Sequence, residues 1–246
     1  MRKAVILIHG FNEDCEISFS QFLSSVKLKR YAIIKHTISG HGNSNDEFNY
    51  NSELNEIEDL AKKVTSKYKE VTVIGFSLGG VLASYIASKY KIDKLILIAP
   101  AFKYISSGSI PKHFLLTAKE VIKSRNIKQG LDNFISSNFK DKDTFIQDLI
   151  DHEHELPSLT NFIRLVEIVK SRIEEINCPT LIIHGEYDEL IPISSSLYIL
   201  SKVSNKNKHL IIAPTMLHRV LNDENAKPYH LMIKYFIKKG SIYYKL

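Results

Sequence analysis

Tryptophan is absent from this 246-residue chain, and cysteine occurs only twice. Cys15 and Cys178 are too few and too scattered for a disulfide framework or a zinc site, so free thiols in a reducing compartment are expected. No apolar run approaches the roughly 20 residues that cross a bilayer, which argues against stable membrane insertion. At the N-terminus, Met1-Arg2-Lys3 followed by Ala4–Ile8 loosely imitates a signal peptide. That run stops at His9-Gly10, short of the roughly 7–15 residues of a signal core, and no small-residue cleavage site follows. It reads as a buried strand, and the chain as cytoplasmic. Internal repeats, Pro-rich linkers and low-complexity tracts are also missing. The formal charge of +6 is spread along Lys-rich stretches with no compact basic cluster. This excludes nucleic acid as the expected partner, while leaving a mild preference for anionic substrates or surfaces.

What is present is the composition of a globular domain, with 44% apolar and 24% charged residues. A chain of this length buries a sizeable core as one domain. Short Val/Ile/Leu-rich runs at Ala4–Ile8, Tyr31–Ile34, Val71–Gly75, Lys94–Ala99, Thr180–His184 and His209–Ala213 are nearly continuous, as in parallel strands covered on both faces. Helical periodicity separates them at Glu53–Tyr68, Leu78–Tyr90, Ser194–Lys202 and Asn225–Lys238. In the first of these, Leu54, Ile57, Leu60, Ala61 and Val64 form one stripe. The alternation predicts an α/β fold with a mostly parallel six-stranded sheet, helices on both faces and right-handed crossovers. From Phe102 to Pro157 the alternation lapses into helical patches such as His113–Lys123 and Thr144–Asp151. A helix over Thr160–Ile176 leads back to the sheet. Residues 1–101 and 158–246 therefore read as the core domain, and 102–157 as a helical insertion over it.

Functional groups in open α/β sheets gather beyond the carboxyl ends of the strands. Those positions hold His9-Gly10-Phe11-Asn12, Ser39-Gly-His-Gly-Asn-Ser44, Gly75-Phe-Ser77-Leu-Gly-Gly80, His184-Gly-Glu-Tyr-Asp188 and Pro214-Thr-Met-Leu-His218. A serine, an acid and a histidine thus occur in that order on separate loops. A serine hydroxyl needs a base to take its proton as it attacks, and histidine suits that work near neutral pH. A carboxylate on the second ring nitrogen fixes the tautomer. Glycines beside Ser77 permit a sharp strand-to-helix turn, whose helix N-terminus faces developing negative charge.

On these landmarks the chain resembles the α/β-hydrolase fold superfamily over essentially its whole length, with the small bacterial carboxylesterases and monoacylglycerol lipases as the nearest pattern. The resemblance implies Ser77 as nucleophile, Asp188 as acid and His218 as base, with an oxyanion hole from the backbone N–H groups of Phe11 and Leu78. Glu186 and Glu189 flank Asp188, and the family spacing favours Asp188. The first strand corresponds to what is usually the family's third, so two leading antiparallel strands are expected to be missing, with the Tyr31 strand at one edge. The insertion falls where the family places its cap, and Phe102, Tyr104 and Phe114 are candidate substrate contacts there. His9 is expected to anchor the oxyanion loop through hydrogen bonds, and His41 to do similar work in its turn. One departure is that family members often place a small residue directly before the histidine, whereas Met216-Leu217 precede His218 here.

The implied activity is hydrolysis of short- to medium-chain or monoacylglycerol-like carboxylic esters through an acyl-enzyme, with no cofactor and no metal. His152 and His154 point in different directions on a helix and lack a third ligand. The same triad serves thioesterases, lysophospholipases, proline-type aminopeptidases and carbon–carbon bond hydrolases, because the fold fixes machinery rather than substrate. A peptidase would want a free carboxylate for the substrate amine, with Glu13, Asp14 and Glu186 as candidates. A non-catalytic ligand-binding protein on a hydrolase fold is the alternative outside enzymes.

Overall fold

The computed structural model of the chain describes residues 3–11, 13–41, 48–103 and 156–243, with backbone alone for 156–160. Six parallel strands form one sheet in the order β2-β1-β3-β4-β5-β6. They are β1 (Lys3–Ile8), β2 (Tyr31–His36), β3 (Glu70–Phe76), β4 (Lys94–Ile98), β5 (Thr180–Gly185) and β6 (Lys208–Ala213). Each predicted strand is found, within two residues at either end, and the Tyr31 strand lies at an edge as expected. The registers run in step, Ile8 opposite both His36 and Gly75, so the strand ends form one rim.

Alternate residues of each strand feed two cores, because successive side chains point to opposite faces. Ala4, Ile6, Ile8, Val73, Leu97 and Ile182 pack beneath α2 (Tyr50–Lys67), α3 (Leu78–Lys89), α4 (Leu156–Lys170) and α5 (Ile193–Lys202). Val5, Leu7, Ile74, Phe76, Ile98 and Ile183 face α1 (Cys15–Ser25) and α6 (Lys227–Lys239). Ala4–Ile8 is wholly excluded from solvent. Burial stabilises the fold by about 1.5–3 kcal/mol for each such Val, Leu or Ile, which is why the run is continuous rather than alternating.

Local signals set the helix ends. Asp14 caps α1 by accepting the Ile17 N–H at 2.7 Å, and Asn49 caps α2 by accepting from Asn51 and Ser52. Gly240, at φ 69°, closes α6 with its N–H on the Phe236 carbonyl. Two features depart from the sequence reading. Helix α1 has no counterpart there, and the helix expected over Thr160–Ile176 ends at Lys170, followed by a 3₁₀ turn at Ile173–Glu175. Among the described residues no helix is long and apolar enough to cross a membrane. Both cysteines are buried free thiols. Burial pushes Cys15 up to about 11 and Cys178 up to about 12, and the Cys15 thiol points at the Leu7 and His36 carbonyls.

Candidate active site

Successive connections leave the sheet in opposite directions from β1 and β3, which are neighbours. This is the topological switch point where open α/β sheets leave a crevice. Ser77 stands there, between β3 and α3, at φ 53° and ψ −116°. A non-glycine residue in that region costs about 1–3 kcal/mol and persists only where its surroundings over-determine it. They do so here. The Ser77 N–H bonds the Ile98 carbonyl at 2.9 Å, and the Ala101 N–H reaches the Ser77 carbonyl at 3.2 Å. A Cβ on Gly75 would lie 2.1 Å from the Gly79 carbonyl oxygen, and one on Gly79 only 2.2 Å from that of Ile8. The flanking glycines therefore let β3, α3 and the end of β1 touch backbone to backbone. Ser77, the N-cap residue of α3, makes no side-chain capping bond. Gly10 closes over the turn from β1, since a Cβ there would meet the Phe76 ring at 2.9 Å and Ser77 Cβ at 3.3 Å.

Asp188 and His218, 30 residues apart, meet at the ends of β5 and β6. His218 Nδ1 donates to Asp188 Oδ2 at 2.8 Å. The other carboxylate oxygen, Oδ1, accepts the Leu190 and Ile191 N–H groups at 2.9 and 2.8 Å. Its side chain is about 1% exposed, so these partners replace water almost completely. The two rival carboxylates do different work. Glu186 accepts the Thr215 N–H at 3.1 Å, and Glu189 accepts the backbone N–H of His218 at 3.1 Å. The Phe76 ring, next to Ser77 in sequence, lies 4.9 Å from the His218 ring between centroids.

The departure before His218 has a local explanation. Thr215 takes the tight turn at φ 62°, and the Met216 carbonyl accepts the Tyr187 N–H at 2.9 Å. A Cβ on Gly185 would lie 2.4 Å from the carbonyl oxygens of both Met216 and Leu217. The small residue the loop requires is supplied by β5, so a large pair can precede the histidine. Met216 is buried and Leu217 exposed.

A second layer of polar residues holds these loops. His9 Nδ1–H donates to the Gly10 carbonyl at 2.7 Å, and Nε2 accepts the Ile38 N–H at 2.9 Å, which fixes a neutral ring. Burial holds it at about 4, well below an ordinary histidine. This is the anchoring expected from the sequence. His41 donates Nδ1–H to the Ser39 carbonyl at 3.0 Å and meets the Phe11 ring edge-on. Fully buried Glu53 spans His36 Nε2 at 2.6 Å and the Ser39 N–H at 2.8 Å.

His184, at the end of β5, carries no role legible in the sequence. Its Nε2–H faces the Ile191 carbonyl at 2.9 Å and lies 3.3 Å from Asp188 Oδ2, while Nδ1 meets the Ser196 hydroxyl at 2.7 Å. Burial lowers its pKa and keeps it a neutral donor behind the carboxylate. Ser195 Oγ donates to the Pro100 carbonyl at 2.6 Å and accepts the Phe102 and Lys103 N–H groups, fixing the chain as it leaves β4. No single-residue signal marks either contact: His184 sits in an apolar strand and meets groups 4 to 12 residues on, and Ser195 meets a loop more than 90 residues away.

Phe102 lies buried in the core beneath α3, near Tyr198. Tyr104, Phe114, His152 and His154 lie outside the described residues, as does nearly all of the expected insertion. Among the described residues no group of three or more His, Cys, Asp or Glu is placed to hold a metal ion.

The model for the family described as Serine aminopeptidase, S33 matches residues 1–225. A protein of Arabidopsis thaliana named "Probable lysophospholipase BODYGUARD 2" is 26% identical over 85% of the chain, which spans about half of that relative's length (54%). The monoacylglycerol lipase of Mycolicibacterium smegmatis is 24% identical, with 92% of this chain and 84% of that protein covered. Among solved structures, the monoacylglycerol lipase of Paleococcus ferrophilus superposes with a TM-score of 0.67 at 17% identity, covering 97% of this chain and 95% of that one.

Proposed function

The chain belongs to the Serine aminopeptidase, S33 family of α/β-hydrolases, and from that premise we propose that it hydrolyses carboxylic esters through an acyl-enzyme formed on Ser77. The observation that carries this reading is the 2.8 Å bond from His218 Nδ1 to Asp188, held at the sheet end where Ser77 occupies its strained turn. Because Nδ1–H is committed to the carboxylate, Nε2 is the nitrogen left to act on the serine proton.

Ser77 Oγ attacks the ester carbonyl carbon while His218 Nε2 takes its proton. Asp188 stabilises the imidazolium without itself being protonated. The carbonyl oxygen, now negative, is met by the backbone N–H groups of Phe11 and Leu78, the second at the start of α3. Losing one such donor typically costs ~10²–10³ in rate. The tetrahedral intermediate collapses as His218 returns the proton to the departing alkoxide. Water then attacks the acyl carbonyl with the same base, and the acid leaves with Ser77 restored. No step requires a cofactor or a metal.

Short- to medium-chain acyl esters and monoacylglycerol-like esters are the substrates this reading favours, which accords with the names carried by several relatives. Residues 102–157 are the segment assigned to acyl selection. A specific observation favours esters over aminopeptidase substrates. Of the carboxylates considered for holding a substrate amine, Glu13 has both oxygens engaged, by Ser18 and Arg219, and Asp14 caps α1 through the Ile17 N–H.

The test is an ester panel graded by acyl length, run beside a lysophospholipid, a thioester and an amino-terminal peptide. Ser77→Ala is expected to abolish turnover and labelling by a fluorophosphonate while leaving the melting temperature close to that of the parent. Turnover retained by that variant ends the assignment, and a folded parent that fails to react with the fluorophosphonate favours a ligand-binding role.

A further inference from the structure

Two residues after Phe11 stands Glu13, a carboxylate only 6% exposed. Directly after His218 stands Arg219, whose side chain is 59% exposed. Arg219 Nη2 reaches Glu13 Oε1 at 2.7 Å, and the other carboxylate oxygen accepts the Ser18 hydroxyl of α1 at 2.5 Å. The ion pair therefore crosses from the loop that follows β1 to the loop that follows β6. These are the loops assigned above to one oxyanion donor and to the base.

The pair also has a place in a larger joint. Ser18, Phe76, Arg219, Leu221 and Asn222 come together around a narrow crevice with no room for a water molecule. Phe76 lies against the His218 ring on one side of it. Asn222 Nδ2 donates to the Ile17 carbonyl at 2.7 Å, a second tie from the histidine loop to α1. The Val220 N–H bonds the His218 carbonyl across a γ-turn at Arg219, and the Asn222 N–H bonds the Arg219 carbonyl at the 3₁₀ turn Val220–Asn222, so the chain is tightly folded directly after the histidine. His218 is thus held through its ring by Asp188 on Nδ1, through its backbone N–H by Glu189, and through the Arg219 anchor one residue on.

We propose that the Glu13–Arg219 pair is a clasp that sets the spacing between the Phe11 and His218 loops, making both positioning residues for the reaction. The proposal rests on the ester-hydrolase reading of the same site. Neither side chain touches the reacting atoms in this assignment. What the clasp contributes is registration, and a displacement of about 1 Å in a catalytic group can cost on the order of 10² in rate. Ion pairing suits this use because one partner is buried and fully engaged, so the geometry is fixed from the Glu13 side while Arg219 closes it from solvent.

Glu13→Gln, Arg219→Gln and their double variant test the clasp, with Arg219→Lys as the conservative replacement. Glutamine at position 13 retains an acceptor for Ser18, and position 219 is exposed enough that folding is expected to survive, which circular dichroism checks. Each glutamine variant is expected to lower kcat for a nitrophenyl ester by about 10- to 100-fold with KM within about threefold. The double variant should lose about as much as either single, because the two act as one unit. Arg219→Lys should recover part of kcat. Unchanged kcat, losses that multiply in the double variant, or losses that appear only in KM would overturn the clasp. Ser77→Ala, assayed alongside, separates the two ideas: residual turnover there removes the esterase reading, whereas its inactivity beside fully active clasp variants removes the clasp alone.

Discussion

Protonation of His9 works against the fold. Its Nε2 accepts the Ile38 N–H, so a proton there removes an acceptor and places a charge in a fully buried position. Burial accordingly holds its pKa at about 4, against 6.5 for the free ring. Protons then bind first to the unfolded chain. The stability contributed by the neutral ring is complete above about pH 6.5 and is lost progressively as pH falls from there to 4. The slope is about 1.4 kcal/mol per pH unit for each proton taken up on unfolding. His41, His184 and His230 are lowered by burial and add in the same direction. Thermal unfolding followed by circular dichroism should show the melting temperature falling across that interval. His9→Asn, lower in stability by about 1–3 kcal/mol at pH 7.5 through its altered hydrogen bonds, should show a shallower fall. An unchanged slope would mean that His9 is not among the groups responsible.

The same scale explains what a reader of the sequence can and cannot see. Ser77 is legible because its glycines are adjacent in the chain, and Asp188 and His218 because each ends a recognisable strand. His184 and the Glu13–Arg219 pair are not. The Glu13–Arg219 pair depends on which loops the sheet order brings together, and a histidine inside an apolar strand looks the same whether it fills space or supports a carboxylate.

At the scale of elements, the contact between β1, β3 and the start of α3 is the one on which the site depends most. Gly79→Ala would drive a methyl against the Ile8 and His9 carbonyl oxygens, at 2.2 and 2.4 Å, and backbone cannot yield as a side chain does. Gly10→Ala meets the Phe76 ring at 2.9 Å, a neighbour able to tilt. Urea unfolding should therefore place Gly79→Ala below the parent by about 1–3 kcal/mol or more, and Gly10→Ala closer to it. The reverse order would contradict the close backbone approach. Strands were legible because burial on both faces makes them continuous apolar runs. Helix α1 was not, since Cys15–Ser25 is rich in serine and has little amphipathic contrast, and its cap at Asp14 looks like loop chemistry until the Ile17 N–H is seen on it. Where helix α4 gives way to the 3₁₀ turn, the apolar spacing continues through Ile173 and Ile176, so periodicity alone carried the reading past the true end.

At the largest scale, the proposed division of the chain is between a core that holds the site and an insertion that selects the substrate. Core clusters pack on either face of the sheet, and among the described residues the bonds to Ser77, Asp188 and His218 come from the strand ends and the loops that follow them. Ser195 fixes the chain where it leaves the core, at Phe102 and Lys103, and α4 brings it back. If residues 102–157 are an insertion over the core, residues 104–155 are not needed to hold that framework. Replacing them with a Gly-Ser linker should then yield a folded protein whose Ser77 still reacts with a fluorophosphonate and which still hydrolyses nitrophenyl acetate. What should change is the ranking of substrates. If the insertion shapes the acyl pocket, its apolar side chains supply about 0.8 kcal/mol for each buried methylene. That gives a graded dependence of kcat/KM on acyl length in the parent, and this dependence should flatten in the linker variant. A variant that folds and keeps the parent's ranking would move acyl selection into the core, whereas one that fails to fold would make the insertion part of the core itself.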